Sequence, residues 1–380
     1  VQVFKSVWQH YTPTPEIRWL LEQFRQMLND CIRIGLAENV TSLKSLSLKA
    51  YGQLGRYDVA SYYKLCAISA ATGIMRNYRK AKRKNPHVRE PYARRQRLTT
   101  CYGFKVRDGE LSLPIHAKEH VQISLNQHVQ ATINGFAHRS LILTKDRLSL
   151  AYAIEVRQLQ PRGFIGIDRN LDNVTVAATD GTVQQHDLSE ATRIRAMYRD
   201  VGSHFRRNDV RIRHEISSKY GQKQQDKVKQ ILHHASKLIV EEAKARQYGI
   251  AMEKLVGIRR LYRRGNWQGR WYRGRMNSWS YAELQRQIEY KAKWEGLPVI
   301  YVHPYGTSSK CSICGRRMKP EENRMLRCPS CGYTVDRDVN AAKNILAAGT
   351  LRFGVVGLTS EVMVAEPARV QQSAKSMRGS

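Results

Sequence analysis

The sequence predicts a mixed α/β chain. A strand-rich module with a helical insert comes first, then an α/β sheet domain interrupted near its end by a metal-binding ribbon. Three observations predict it. The hydrophobic pattern changes from helical period to period two near Arg97, then to short apolar runs between long helical stretches from Arg162 onward. Two of those runs end in an acid, Asp168 and Glu253. Two CxxC pairs precede the final helical pattern.

Composition narrows the class. A chain of 380 residues has room for two or three domains with buried cores. Lys and Arg number 64 against 32 acids, a formal charge of +32 that points to a polyanionic partner, nucleic acid first among them. A basic ribosomal or membrane-surface protein is the rival reading. Outside the CxxC pairs only Cys31, Cys66 and Cys101 remain, so no disulfide framework is expected and a reducing compartment fits. No apolar run approaches the roughly 20 residues of a membrane span, and the first residues show no signal-type apolar stretch. The expectation is a cytoplasmic, nucleoid-associated protein without a membrane partner, a monomer being favoured.

Residues 1–10 (VQVFKSVWQH) alternate as a strand does. Pro13 and Pro15 break the pattern. From Glu16 the chain turns helical, with Leu20, Leu21, Phe24, Met27, Leu28, Cys31 and Ile32 on one face. Helical patterning resumes over 43–51 and 57–78. The last of these helices runs into Arg76, Arg79, Lys80, Lys82, Arg83 and Lys84 before Asn85-Pro86 stops it. Ten cations against one acid between positions 76 and 97 favour a phosphate-contacting surface over a merely solvated helix end. From 97 to 159 short alternating runs separated by turn signals predict a small barrel or sandwich. Residues 1–10 would supply its first strand, with the helices of 14–84 inserted.

The run RGFIGI ends in Asp168. VTVAAT and, after the Asp180-Gly181 turn signal, TVQQH follow it. Three strands joined by tight turns and then a long basic helical stretch over 189–244 match the order of an RNase H-like sheet. YGIAM (248–252) reads as a buried strand ending in Glu253. Residues 254–282 contain no acid and interleave arginines, Arg263 and Arg264 among them, with Trp267, Trp271 and Trp279. Arginine beside aromatic rings suits single-stranded nucleic acid, and the segment would then cover the groove as a lid. The alternative is that the tryptophans pack a core. A helix over 283–295 and a strand over 299–302 complete the domain.

Cys311 and Cys314, and Cys328 and Cys331, are spaced to close two knuckles on one tetrahedral Zn²⁺. Gly315 and Gly332 follow each second cysteine, where such a turn needs a residue without Cβ. DRDVNAAKNIL then opens a helix in which Asp336 or Asp338 could cap the first turn. The functional reading joins Asp338 to Asp168 and Glu253. Three converging acids repel one another unless divalent metal sits among them, and two Mg²⁺ ions there would serve phosphodiester hydrolysis.

These stretches resemble a known family. GIDRNLDN around Asp168, AMEKL around Glu253, and CSICG…CPSCG…DRDVNAAKNI look like the three RuvC motifs and zinc ribbon of TnpB, the transposon-encoded RNA-guided nucleases related to type V CRISPR effectors. The resemblance is strongest over 163–346 and only architectural before that. It implies that Asp168, Glu253 and Asp338 are catalytic and hold Mg²⁺, and that the four cysteines hold structural zinc. It implies a wedge-like barrel (1–12 and 96–160) with an inserted recognition helical domain (13–95). A RuvC-like nuclease domain (161–308 and 336–350), a ribbon insert (309–335) and a flexible tail (351–380) would follow. The implied partners are a guide RNA from the transposon end and double-stranded target DNA bearing a short flanking motif. One departure is Asn170, where many members carry Gly, although Asn also tolerates a left-handed backbone. An RNA-guided DNA endonuclease is the leading function. The alternatives are a guide-dependent DNA-binding repressor with an idle site, a strand-transferring transposase, and a compact type V CRISPR effector.

Overall fold

A computed structural model describes residues 1–116, 119–205, 209–263 and 267–356. They form two compact units, Gln2–Glu155 and the chain from Val156 onward together with Val1. Both are mixed α/β.

The first unit begins with β1 (Gln2–His10) and α1 (Pro15–Ala37), whose start is set by Thr14 accepting from the Ile17 amide and by Pro15 in the first turn. Helices α2 (Leu43–Ala50) and α3 (Ser61–Lys84) pack with α1 into one core. Strands β2 (Leu98–Thr100), β3 (Lys105–Arg107), β4 (Glu110–Pro114) and β5 (His120–Ser124) follow. Then come α4 (Gln127–Ile133), β6 (Ala137–Leu143) and β7 (Arg147–Glu155). β1 pairs with β7 along its whole length, so the helices are spliced between partners of one antiparallel sheet, ordered β1-β7-β6-β2. β3, β4 and β5 form a separate three-stranded sheet. The expected barrel therefore does not close. No ladder among the described residues joins the two sheets, because the chain leaves β5 at the Asn126 cap of α4. A side chain makes the link instead. Buried Gln9 donates to the Ser124 carbonyl and accepts from the Asn126 amide, both at 2.8 Å.

The second unit is built on β8 (Gly163–Arg169), β9 (Asn173–Ala178) and β10 (Val183–Asp187), an antiparallel meander. Next come α5 (Ser189–Ser203) and α6 (Ser217–Ala245), with a π turn over Ile212–Ile216 ahead of α6. β11 (Tyr248–Glu253) lies parallel to β8, and after α7 (Arg270–Asn277) and α8 (Tyr281–Trp294) β12 (Val299–Val302) lies parallel to β11. The sheet order is β10-β9-β8-β11-β12. The ribbon contributes β13 (Lys319–Pro320), β14 (Met325–Arg327) and β15 (Thr334–Asp336), and α9 (Arg337–Val356) ends the described chain. Leu351 to Val356, expected in a flexible tail, belong to α9, and residues 357–380 lie outside the described residues. No helix among the described residues is long and apolar enough to cross a membrane.

Period two divides this sheet's faces. Ile165, Ile167, Ile250 and Met252 face the core made with α5, α6 and α8. Gly166, Asp168, Ala251 and Glu253 fall on the opposite face, where α9 packs against β8, β9, β11 and β12. Small residues let the helix lie close. A Cβ on Gly166 would come within 2.7 Å of Leu346 Cα and nearer still to the Ala342 carbonyl. Gly166→Ala is thus expected to push α9 off the sheet. The cost is about 1–3 kcal/mol of overpacking, seen as a melting temperature several degrees lower. An unchanged melting temperature would refute this packing.

Candidate active site

Ala251 pairs with Gly166 and Met252 with Ile167, so one step further along these parallel strands Glu253 and Asp168 reach the same end of the sheet, on the α9 face. Asp338 comes to them from the first turn of α9, where the helix dipole favours an acid. All three are buried: Asp168 is 7%, Glu253 8% and Asp338 4% exposed. Burial pushes the Asp168 carboxyl up to about 7; the charges of Glu253 and Asp338 push the same way, against the Asn170 hydrogen bond and Arg169. DRD assigns its acids by geometry. Asp336 Oδ1 accepts from the amides of Asp338 and Val339, at 2.8 and 3.1 Å, and so caps α9. Asp338 is left for the cluster.

Each carboxylate is held by a neighbour. Asn170 Nδ2 donates to Asp168 at 3.0 Å, and Trp279 Nε1 fixes the Asn170 carbonyl at 2.8 Å. Thr307 Oγ1 donates to Glu253 Oε1 at 2.5 Å. Arg324 of the ribbon pairs with Asp338 at 2.5 Å. Arg169 is a buried guanidinium bonded to the carbonyls of Glu253 and Tyr281 and to Gln285, which ties the end of β11 to the start of α8. Burial lowers its affinity for its proton, against the charges of Glu253 and Asp168, which raise it.

The ribbon sits directly behind. The four cysteine Sγ atoms lie within 4.8 Å of one another, the only such group of three or more candidate ligands among the described residues. Cys311 and Cys331 are 3.7 Å apart and Cys314 and Cys328 3.4 Å. A disulfide needs about 2.05 Å, whereas the edge of a tetrahedron with metal–sulfur bonds near 2.3 Å is about 3.8 Å. The four thiols therefore fit one tetrahedral metal. Gly315 and Gly332 take φ of 72° and 74°, and each donates its amide to the carbonyl of the first cysteine of its pair, the knuckle turn expected of them. Backbone amides of Cys331 and Ser330 lower the Cys328 thiol to about 6. Two asparagines of α9 join ribbon to cluster. Asn340 accepts from the Ser312 amide and donates to the Lys310 carbonyl, and Asn344 donates to the carbonyls of Thr307 and Lys310.

Residues 281–345 match a family model described as Cas12f1-like, TNB domain. A TnpB-like protein of Methanocaldococcus jannaschii is 32% identical over 224 residues, which cover 56% of this chain and 78% of that protein. The chain belongs to the TnpB family. Among its other relatives, the CRISPR-associated endodeoxyribonuclease Cas12f1 of Sulfoacidibacillus thermotolerans is 35% identical over 116 residues, 30% of this chain and 25% of that enzyme. The fold resembles that of Cas12f1 solved with sgRNA and target DNA, with a TM-score of 0.60 at 16% identity, covering 87% of this chain and 82% of that one.

For this TnpB-family chain the remaining sequence-marked residues fall elsewhere. Arg76, Arg79, Lys80, Lys82, Arg83 and Lys84 lie exposed on the last turns of α3, and no carboxylate pairs with them among the described residues. Arg263 is exposed, and Arg264 lies outside the described residues. Trp267 and Trp271 are 102% and 72% exposed, so they pack no core. Only Trp279 of that set is built in, and α7 is fastened to the loop after Asp168 by Arg275 pairing with Asp172 at 2.9 Å. Arg169, Thr307, Arg324 and Asn340 were not singled out from sequence. Arg169 carried one signal, a cation directly after the acid that ends an apolar run.

Proposed function

We propose that this chain is an RNA-guided DNA endonuclease, cutting target DNA at Asp168, Glu253 and Asp338. The carrying observation is that two buried acids share one sheet face and end while buried Asp338 approaches from the first turn of α9, with the Asp168 carboxyl raised by burial and by the charges of the other two. The chemistry of the set suits Mg²⁺, although the carboxylate oxygens do not all lie within 4.8 Å of one another and Asp338 is paired with Arg324; a bound ion would have to draw them together, and would then activate a water and stabilise the leaving oxygen. The chain's own part is to hold the acids: Asn170 and Trp279 set Asp168, Thr307 sets Glu253, and the Asp336 cap sets Asp338. The strand order β10-β9-β8-β11-β12 supports an RNase H-like, RuvC-type reading of the second unit, with residues 309–335 as a zinc ribbon within it. Residues 1–12 and 96–160 around the helices of 13–95, most of which make up the first unit, would be the guide- and target-binding module, its α3 cations meeting phosphate. The Cas12f1 relative is named an endodeoxyribonuclease, and its fold neighbour carries sgRNA and target DNA, which supports the same partners here. Base pairing would supply sequence specificity, and a short DNA motif beside the target would be read by the protein. A nucleoid-associated location follows from such partners.

Trp267 and Trp271, exposed beside arginines, serve in this reading as the stacking platform of a lid. The test is to sequence RNA that survives purification, then offer the complex plasmids with and without a match to that RNA. A discrete RNA and match-dependent, Mg²⁺-dependent cutting are expected. The Trp267→Ala, Trp271→Ala double variant should cut roughly tenfold more slowly at an unchanged melting temperature. Absence of RNA, or cutting that ignores the match, would overturn the proposal.

A further inference from the structure

A basic groove of about 900 Å³ opens on the first unit, over the outer face of its four-stranded sheet. Its floor comes from three neighbouring strands: Trp8 of β1 pairs with Ser149 of β7, which pairs with Ile142 of β6. Alternation along β1 turns Val7 and Gln9 inward and leaves Trp8 50% exposed. The Arg147 guanidinium lies 4.2 Å from the Trp8 ring centroid, so the groove already contains a flat cation–aromatic stack. Residues 94–97 form one wall, and α1 fixes them from both sides. Asn29 exchanges two hydrogen bonds with the Ala93 backbone, at 2.7 and 3.0 Å, and Gln96 donates to Glu22 at 2.6 Å. Held this way, Arg94, Arg95 and Arg97 are exposed at the groove with no partner among the described residues. Lys145 adds a further cation from the β6–β7 turn. Of the two acids that line the groove, Asp146 is bonded to Thr144 and Glu22 is already taken by Arg25, which holds its carboxyl low, at about 2.

We propose that this groove holds an unpaired nucleotide, its base continuing the Trp8–Arg147 stack and its flanking phosphates on Arg94, Arg95 and Arg97. An exposed ring within a cationic cleft is how single strands are held, since every base offers a π-face and the guanidinium both stacks and forks onto phosphate. A duplex presents phosphates but keeps its base faces covered, so it would leave Trp8 unused. The proposal deepens the RNA-guided reading and rests on it only for the source of the nucleotide, guide RNA or opened target DNA.

The test irradiates the full chain with an oligo-uridylate octamer carrying one 5-iodouridine, with the matching deoxy-octamer, and with the same DNA as a duplex, and then maps the adducts by mass spectrometry. A single-strand adduct on Trp8 is expected. Its yield should fall roughly tenfold when Arg94, Arg95 and Arg97 are all changed to Gln, while adducts elsewhere persist. A stronger RNA adduct assigns the site to the guide, a stronger DNA adduct to the target. Adducts elsewhere but none on Trp8, or a duplex that labels Trp8 best, overturns the groove and leaves the RNA-guided reading standing. Absence of any adduct on the chain overturns both.

Discussion

Replacing Asp168, Glu253 or Asp338 by Ala, one at a time, is expected to slow target cleavage at least about a hundredfold, because in the proposed site each would remove an oxygen ligand from a metal able to stabilise the transition state by several kcal/mol. Guide RNA and target binding should stay within a few fold of wild type, since these side chains are buried beneath the sheet edge and offer little surface to nucleic acid. Misfolding is not the expected cause. Burial and like charge raise Asp168 to about 7, so ionising it in the folded chain is unfavourable, and a neutral replacement relieves that cost. Asp336→Ala is the discriminating control. Asp336 caps α9, and its loss should cost about 1 kcal/mol of stability with cleavage largely retained. If Asp336→Ala is dead and Asp338→Ala cuts normally, the wrong acid of the pair has been assigned. Measured side by side, cleavage rate, melting temperature and target affinity separate these outcomes.

Two of the three acids could be placed from sequence, because Asp168 and Glu253 sit at the ends of apolar strands and a period of two then fixes the face they share; Asp338 had to be picked from a helix start. The knuckles were legible because four thiolates in two CxxC pairs have few other uses. What sequence could not show was the means of holding them. Thr307 belongs to no pattern, since its role depends on the loop 303–312 being drawn to α9 by Asn344, a contact across 37 positions. Arg324 reaches Asp338 only because β14 and β15 pair in the register Met325↔Asp336. Trp267, Trp271 and Trp279 looked alike in sequence, at spacings a helix face would explain. Yet Gly269 caps the start of α7 between the first two, and among the described residues only Trp279 of the three is seen to find a backbone acceptor. The barrel failed for a similar reason. Alternation predicts strands but not which edges meet, and the α4 cap diverts β5 before its sheet reaches β1.

Removing the metal expected in the ribbon should be as damaging as removing an acid, although such a metal would take no part in the chemistry. Four protein ligands leave no open position for water or substrate. Binding to such a set contributes on the order of 10–16 kcal/mol of apparent free energy to local folding. Cys311 and Cys328 are buried, and the small cluster around them, Met318, Leu326 and Val335, is too slight to hold without it. One zinc per chain is expected in the wild type and almost none in Cys311→Ser or Cys328→Ser. The damage should spread along a defined route. Asn340 and Asn344 grip the chain at 307–312, Thr307 there holds Glu253, and Arg324 holds Asp338. A collapsed ribbon therefore releases two of the three acids, and cleavage should fall to the level of the alanine variants while the first unit stays folded. Cobalt(II) in place of zinc, tetrahedral in the same four thiolates, should restore the ribbon and the cutting rate together. Equal zinc in the wild type and Cys311→Ser would refute the metal site. Zinc-free protein that still cuts at full rate would refute the route from ribbon to acids.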